Sequence, residues 1–355
     1  MKNWKWHFLA LGWVVALAGA IIYINRPASY PDPPPGWTLW RSAGAVRAIA
    51  FYREEVWCGG LAGLYRLGGN GSAVPVAIPA VGGRIRVNAL EVDGMGGLWV
   101  GHSEGLSCWD GRSWQTFTER DGLPDRYVAA LLFCDDSLWV ATYGGAVAIS
   151  FPWREDFKPV SPPGGQQALP HPRLSAITKD RQGGLWFGSY AAPAGGVGRL
   201  LDGHWRHWLA QDGLPHPNIT SFLISREGKL WVGCGYFQEG GVAVFAPQGN
   251  GAWVLERTLP VAELAGPKVR SLYQDQSGRM WLGHEYDGIT VFSQEKPLRF
   301  ITMADGLPAS EVMTMRQAPD GALWLGTLGG AARLSPQALE ALFTTTGCDD
   351  KKGTS

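Results

Sequence analysis

From residue 36 onward the apolar positions of this chain fall in short runs bounded by Gly- and Asp-rich turns, which predicts strands joined by tight reversals. One unit recurs. In its clearest copy a turn at Asp305-Gly306-Leu307-Pro308 leads into an apolar run, Val312 to Met315, and a reversal at Asp320-Gly321. The strand Leu323-Trp324-Leu325-Gly326 and a Gly-Gly turn into Ala331 to Leu334 complete the unit. Its tryptophan stands at Trp57, Trp99, Trp139, Trp186, Trp231, Trp281 and Trp324, at intervals of 42, 40, 47, 45, 50 and 43 residues. Repeats of this length predict a solenoid or a propeller. In the second copy the pattern predicts four strands, Arg86–Val92, Gly97–His102, Leu106–Asp110 and Ser113–Thr118. Alternation of polar and apolar positions is weak in the Leu-Trp-x-Gly strand, which fits sheets covered on both faces by neighbouring sheets.

The ends of the array predict how it closes. Fourth strands read Trp114-x-x-Phe117, Trp205-x-x-Trp208 and Leu298-x-x-Ile301, but after the seventh copy Ser335–Phe343 reads as a short helix. The missing strand stands at the start, as Trp37-x-x-Trp40. Residues 36–41 are therefore expected to complete the last sheet, removing an otherwise exposed edge. The fold class is all-β: a seven-bladed β-propeller over residues 36–335, preceded by an N-terminal transmembrane helix.

That helix is read from residues 1–25. Lys2 and Lys5 precede an uncharged run from Phe8 to Ile24, about 26 Å long as a helix against a hydrocarbon core of about 30 Å. Trp4, Trp6 and Tyr23 suit the two interfaces. A cleaved signal peptide is the competing reading, because Ala16-Leu17-Ala18 and Ala18-Gly19-Ala20 fit a small-x-small site. The apolar run continuing through Ile21, Ile22 and Ile24 argues for the anchor. Both readings put the propeller on the exported side, periplasmic or extracellular. The Pro-rich residues 26–35 read as a semi-rigid stalk, and 336–355 as a short helix with a polar tail.

Composition narrows the partners. The 31 basic and 31 acidic residues balance, and no basic stripe appears, so nucleic acid is not expected as a partner. The five cysteines form no metal-type pair and read as free thiols. No nucleophile–base pair, phosphate loop or paired-carboxylate motif emerges, and no cofactor or metal is expected.

The repeats resemble the two-component regulator propeller repeat on Asp121-Gly122-Leu123-Pro124, Asp212-Gly213-Leu214-Pro215 and Asp305-Gly306-Leu307-Pro308. Each turn is followed in phase by Trp139, Trp231 and Trp324. The resemblance covers roughly residues 36–335 and implies the exported sensor portion of a membrane-bound signalling system. Without a second span or a kinase in this sequence, signalling is expected to pass through a separate partner. Blades such as Gly184-Leu185-Trp186-Phe187-Gly188 also resemble virginiamycin B lyase-type propellers. That likeness implies metal-assisted chemistry, with His102, Glu104 and His284 as its candidates.

In such a ring the loops sort onto two faces. The fourth-to-first and second-to-third loops share the more variable face, where function is expected. Candidate ligand-binding residues there are His102, Glu104, Tyr143, His171, Tyr190, His216, Tyr236, Phe237, Glu239, His284, Glu285, Tyr286 and Asp287, with Arg126 and Tyr127 beside them. Aromatic faces among carboxylates and imidazoles stack on and hydrogen-bond a small polar molecule, glycan or peptide. The alternative to such a sensor is a scaffold for a separate assembly partner at the membrane.

Overall fold

The computed structural model describes residues 32–69, 71–82, 85–150, 157–160, 170–249, 251–293 and 296–344. The anchor predicted over residues 1–25, the first part of the stalk, and the tail with Cys348 lie outside them. Among the described residues no helix is long and apolar enough to cross a membrane.

Seven four-stranded antiparallel sheets follow one another along the chain. In blades 1 to 6 the strands run in sequence order from the innermost outward. In the second blade these are Val87–Val92, Leu98–His102, Gly105–Trp109 and Trp114–Phe117, within a residue or two of expectation. Each inner strand packs against the next, and the first packs against the last, so the ring is closed. The seventh blade takes Trp37–Trp40 as its outer strand, with Trp37 opposite Leu334 and Trp40 opposite Ala331. This strand thus latches the ring and covers what would otherwise be the free edge of Gly330–Leu334. The helix Pro336–Thr344 follows the final strand.

The repeated residues have one job each. Seven apolar clusters fill the seven seams, and each takes one repeat tryptophan, from Trp57 in the first seam to Trp324 in the last. In the second, fourth and sixth blades an aspartate six residues upstream accepts the indole N–H, as in Asp180 Oδ2 to Trp186 Nε1 at 2.7 Å. The Trp-x-x-Trp spacing has a geometric reason: residues three apart on a strand face opposite sides. Trp37 accordingly enters the seam with the sixth blade and Trp40 the seam with the first. The glycine of the Leu-Trp-x-Gly strand lets blades approach. A Cβ on Gly101 would lie 2.6 Å from Val128 of the next blade, and one on Gly59 2.2 Å from Val87. The Asp-Gly-Leu-Pro aspartates cap short turns: Asp121 and Asp305 each accept from the backbone N–H and hydroxyl of Thr118 and Thr302. Cys58, Cys108, Cys134 and Cys234 are free thiols, and burial pushes Cys58 and Cys234 up to about 12.

Candidate functional site

Every inner strand carries a β-bulge at the same place, after its first residue. A bulge leaves one residue out of the ladder and re-aims its side chain. The seven bulged residues are Arg47, Asn88, Ala129, Ser175, Thr220, Arg270 and Met313, and all seven line a cavity of about 290 Å³ at the mouth of the central channel. They stand ten or eleven residues before the repeat tryptophan. The residue before each bulge is Val, Leu or Ile and fully buried, while the residue after it is Ala, Ser or Thr. Thus the framework repeats while the column facing the channel varies. Where the bulged side chain is short and polar it also ties blades together. Asn88 Nδ2 donates to Val128 O at 2.8 Å, and Ser175 Oγ to Ile219 O at 2.5 Å.

Around this ring the loops add a crescent of aromatic rings interleaved with cations. Tyr127 and Tyr143 stack at 4.1 Å. The Arg173 guanidinium lies 4.5 Å above Tyr143, and Tyr190 meets Tyr236 edge-on at 6.4 Å. Buried Lys268 lies over Tyr190 and Tyr236 and donates to Tyr190 Oη and Glu285 Oε1, both at 3.1 Å. Such cation–π contacts hold ring and charge in fixed relation. Arg270 Nη2 reaches Glu285 at 2.5 Å and Glu311 at 2.9 Å. Burial above all, and Glu285 beside it, push the Glu311 carboxyl up against the pull of Arg270.

The structure divides the residues predicted from sequence. Tyr143, Tyr190, Tyr236 and Glu285 converge at the mouth with Tyr127. Phe237, held at φ 50°, and Glu239 form the exposed tip of the adjoining hairpin. Glu104 and Arg126 pair at 3.5 Å on the exposed rim, and His171 Nδ1 accepts from Arg173 N–H nearby. Tyr286 and Asp287 line a separate open groove of about 590 Å³ with Phe300 and Met303. The remaining histidines do not face the ligand side as expected. His102 and His284 are wholly buried within the second and sixth blades, bonded through Nε2 to Ser107 Oγ at 2.9 Å and Thr290 Oγ1 at 2.8 Å. His216 is buried and caps Asn218 N–H at 2.9 Å. Imidazoles ending a Leu-Trp-x-Gly-His strand continue that strand's burial rather than opening the loop. Among the described residues no group of three or more His, Cys, Asp or Glu is placed to hold a metal ion.

Burial lowers both His102 and His284 to about 4. The unfolded chain therefore takes up these protons first, below an ordinary value of about 6.5. Stability is complete above pH 6.5 or so and falls as pH drops toward 4, by about 3 kcal/mol per imidazole. Urea midpoints across that range should decline in the native chain, and the decline should flatten in a His102→Gln, His284→Gln double variant. An unchanged slope would place the titration elsewhere.

Sequence reasoning missed the basic members of the mouth, Arg47, Arg86, Arg173, Lys268 and Arg270, and also Glu311. Apart from Lys268 and Arg270, which share the sixth repeat, each stands alone in its repeat, so no local motif marks it. The signal was two columns: Arg47 and Arg270 stand ten or eleven residues before their tryptophans, and Arg86, Arg173, Lys268 and Glu311 each stand thirteen before theirs.

A closed seven-bladed propeller with a lined pocket at its channel mouth is the architecture of many binding domains. The family model described as two component regulator propeller matches residues 168–191, 213–236 and 263–286. These three stretches of the chain are similar to two-component regulator propeller repeats. No curated protein matches it. Among solved structures it is similar to the extracellular domain of a putative hybrid two component system from B. thetaiotaomicron, with a TM-score of 0.72 at 18% identity. That match covers 87% of this chain and 42% of the other, so the chain spans less than half the length of that domain. It is also similar to a catalytically inactive virginiamycin B lyase from Staphylococcus aureus with quinupristin, with a TM-score of 0.62 at 12% identity, covering 84% and 97% of the two chains. YCF48 from Cyanidioschyzon merolae has a TM-score of 0.62 at 11% identity, covering 85% and 99%. At these identities the likeness establishes the fold alone.

Proposed function

We propose that this chain is the recognition module of a sensory system: an exported propeller, tethered by its N-terminal apolar segment, that binds a ligand at the channel mouth and passes the signal to a separate partner. The repeat family and the extracellular sensor domain among its structural relatives support the class. One observation carries the site. A repeated framework holds six kinds of side chain at its seven bulged positions, beside a tyrosine crescent fixed by buried Lys268. Variation confined to one column of a repeat is what a scaffold needs to build a single asymmetric pocket.

A thermal-shift or glycan-array screen on the purified chain tests this. Tyr190→Ala is expected to weaken a hit about tenfold or more, since a buried tyrosine anchor carries that share of binding energy. Tyr286→Ala, on the separate groove, is expected to leave it unchanged. The reverse pattern would move the site to that groove.

A further inference from the structure

Charge at the mouth is far out of balance for a chain with none overall. Arg47, Arg86, Lys268 and Arg270 line the cavity, and Arg173 stands over the adjoining tyrosine. Against these five cations stand two carboxylates, Glu285 and Glu311, both taken up by Lys268 and Arg270. Among the described residues no carboxylate pairs with Arg47, Arg86 or Arg173. The Nε of Arg270 is buried and has no partner among those residues. Burial disfavours the charge on Arg47, and Arg270 and Arg86 oppose it further. A guanidinium does not escape by losing its proton. Like charges held around a small, partly desolvated space are relieved only by an anion that enters it.

We infer that the mouth takes its ligand by a terminal oxyanion, carboxylate, phosphate or sulfate, seated among Arg47, Arg86 and Arg270, with a flat ring of the same ligand against the tyrosine crescent. The inference rests on the mouth being the binding site and names the chemistry it selects. A space of about 290 Å³ is at the small end for ligand pockets, so it admits one end of a ligand. The fork of a guanidinium matches all three oxyanions. Tyr127, stacked on Tyr143, and Tyr190, braced by Lys268, offer rings whose positions are fixed before binding.

Simple probes test it on the full-length chain in detergent by titration calorimetry. Benzoate should bind about tenfold or more tighter than neutral, isosteric benzamide, the value of one charge-assisted contact. It should also exceed acetate several-fold through the ring. Phenyl phosphate and phenyl sulfate distinguish which oxyanion is preferred. Arg47→Met should weaken benzoate about tenfold and leave benzamide unchanged. Arg86→Met, at an exposed position that does not disturb the fold, should act in the same direction. Benzamide binding as well as benzoate, or indifference of benzoate to both arginine variants, overturns the inference. If both probes then still respond to Tyr143→Ala, the mouth remains the site and only its anion selectivity is lost. If no mouth variant moves any probe, the site itself is elsewhere.

Discussion

Trp40→Ala is expected to cost the propeller about 3–5 kcal/mol, the usual range for emptying a buried tryptophan site. The side chain is 3% exposed. It stacks on Trp324 at 4.7 Å and donates its Nε1 hydrogen to Gly68 O at 2.7 Å. The loss falls where the ring is latched, since Trp40 occupies the seam between the seventh and first blades while its strand supplies the seventh blade's edge. Urea denaturation followed by tryptophan fluorescence measures it. Trp114→Ala, on the half-buried outer strand of the second blade, provides the comparison and should cost clearly less. A Trp40→Ala midpoint close to that of the native chain would mean that the ring closes without its N-terminal strand.

Asp275→Ala is expected to cost a similar amount, about 3–5 kcal/mol, as for other buried pairs from which one partner is removed. Asp275 is 1% exposed and accepts from Arg279 Nε at 2.6 Å, Arg279 N–H at 2.9 Å and Trp281 Nε1 at 2.9 Å. Its loss strands an indole N–H and leaves the Arg279 guanidinium with Glu340, at 2.8 Å, as its one carboxylate among the described residues, and with the Phe343 ring at 3.8 Å. Through that arginine the C-terminal helix would loosen as well. Hydrogen exchange in Pro336–Thr344 should therefore quicken in Asp275→Ala. Asp275→Asn keeps an acceptor for the indole and should fall between. Equal midpoints for native chain and alanine variant would show that the cluster contributes nothing net.

Much of this architecture was legible because the physics of a propeller repeats. Each seam needs one large ring, so tryptophan recurs in phase; most inner reversals carry Asp or Gly, so the turns recur too. Even the latch could be read, because Trp37-x-x-Trp40 has the spacing that serves two seams and stands where no other strand needs it. The tyrosines of the second-to-third loops were also legible, since a large polar aromatic in a turn has no structural duty there.

The histidines were misplaced for a related reason. Loop or strand cannot be told apart for the last residue of an apolar run, and His102 and His284 went to the strand, each bonded through Nε2 to a hydroxyl on the neighbouring strand. Their chemistry was visible in the sequence, but their exposure was not.

By itself the sequence determined the number of blades, the seam fillers, the turn chemistry and the closing strand, all of which depend on residues near one another in the chain or in register with a repeat. Only the tertiary structure decided the character of the mouth. Arg47, Arg86 and the pair Lys268 and Arg270 come from three different repeats and cancel unnoticed in a neutral composition. Ring closure brings them around one cavity, and a bulge in each inner strand aims one variable side chain into it. Charge adds over space rather than along the chain, so a basic pocket emerged where no basic stretch exists.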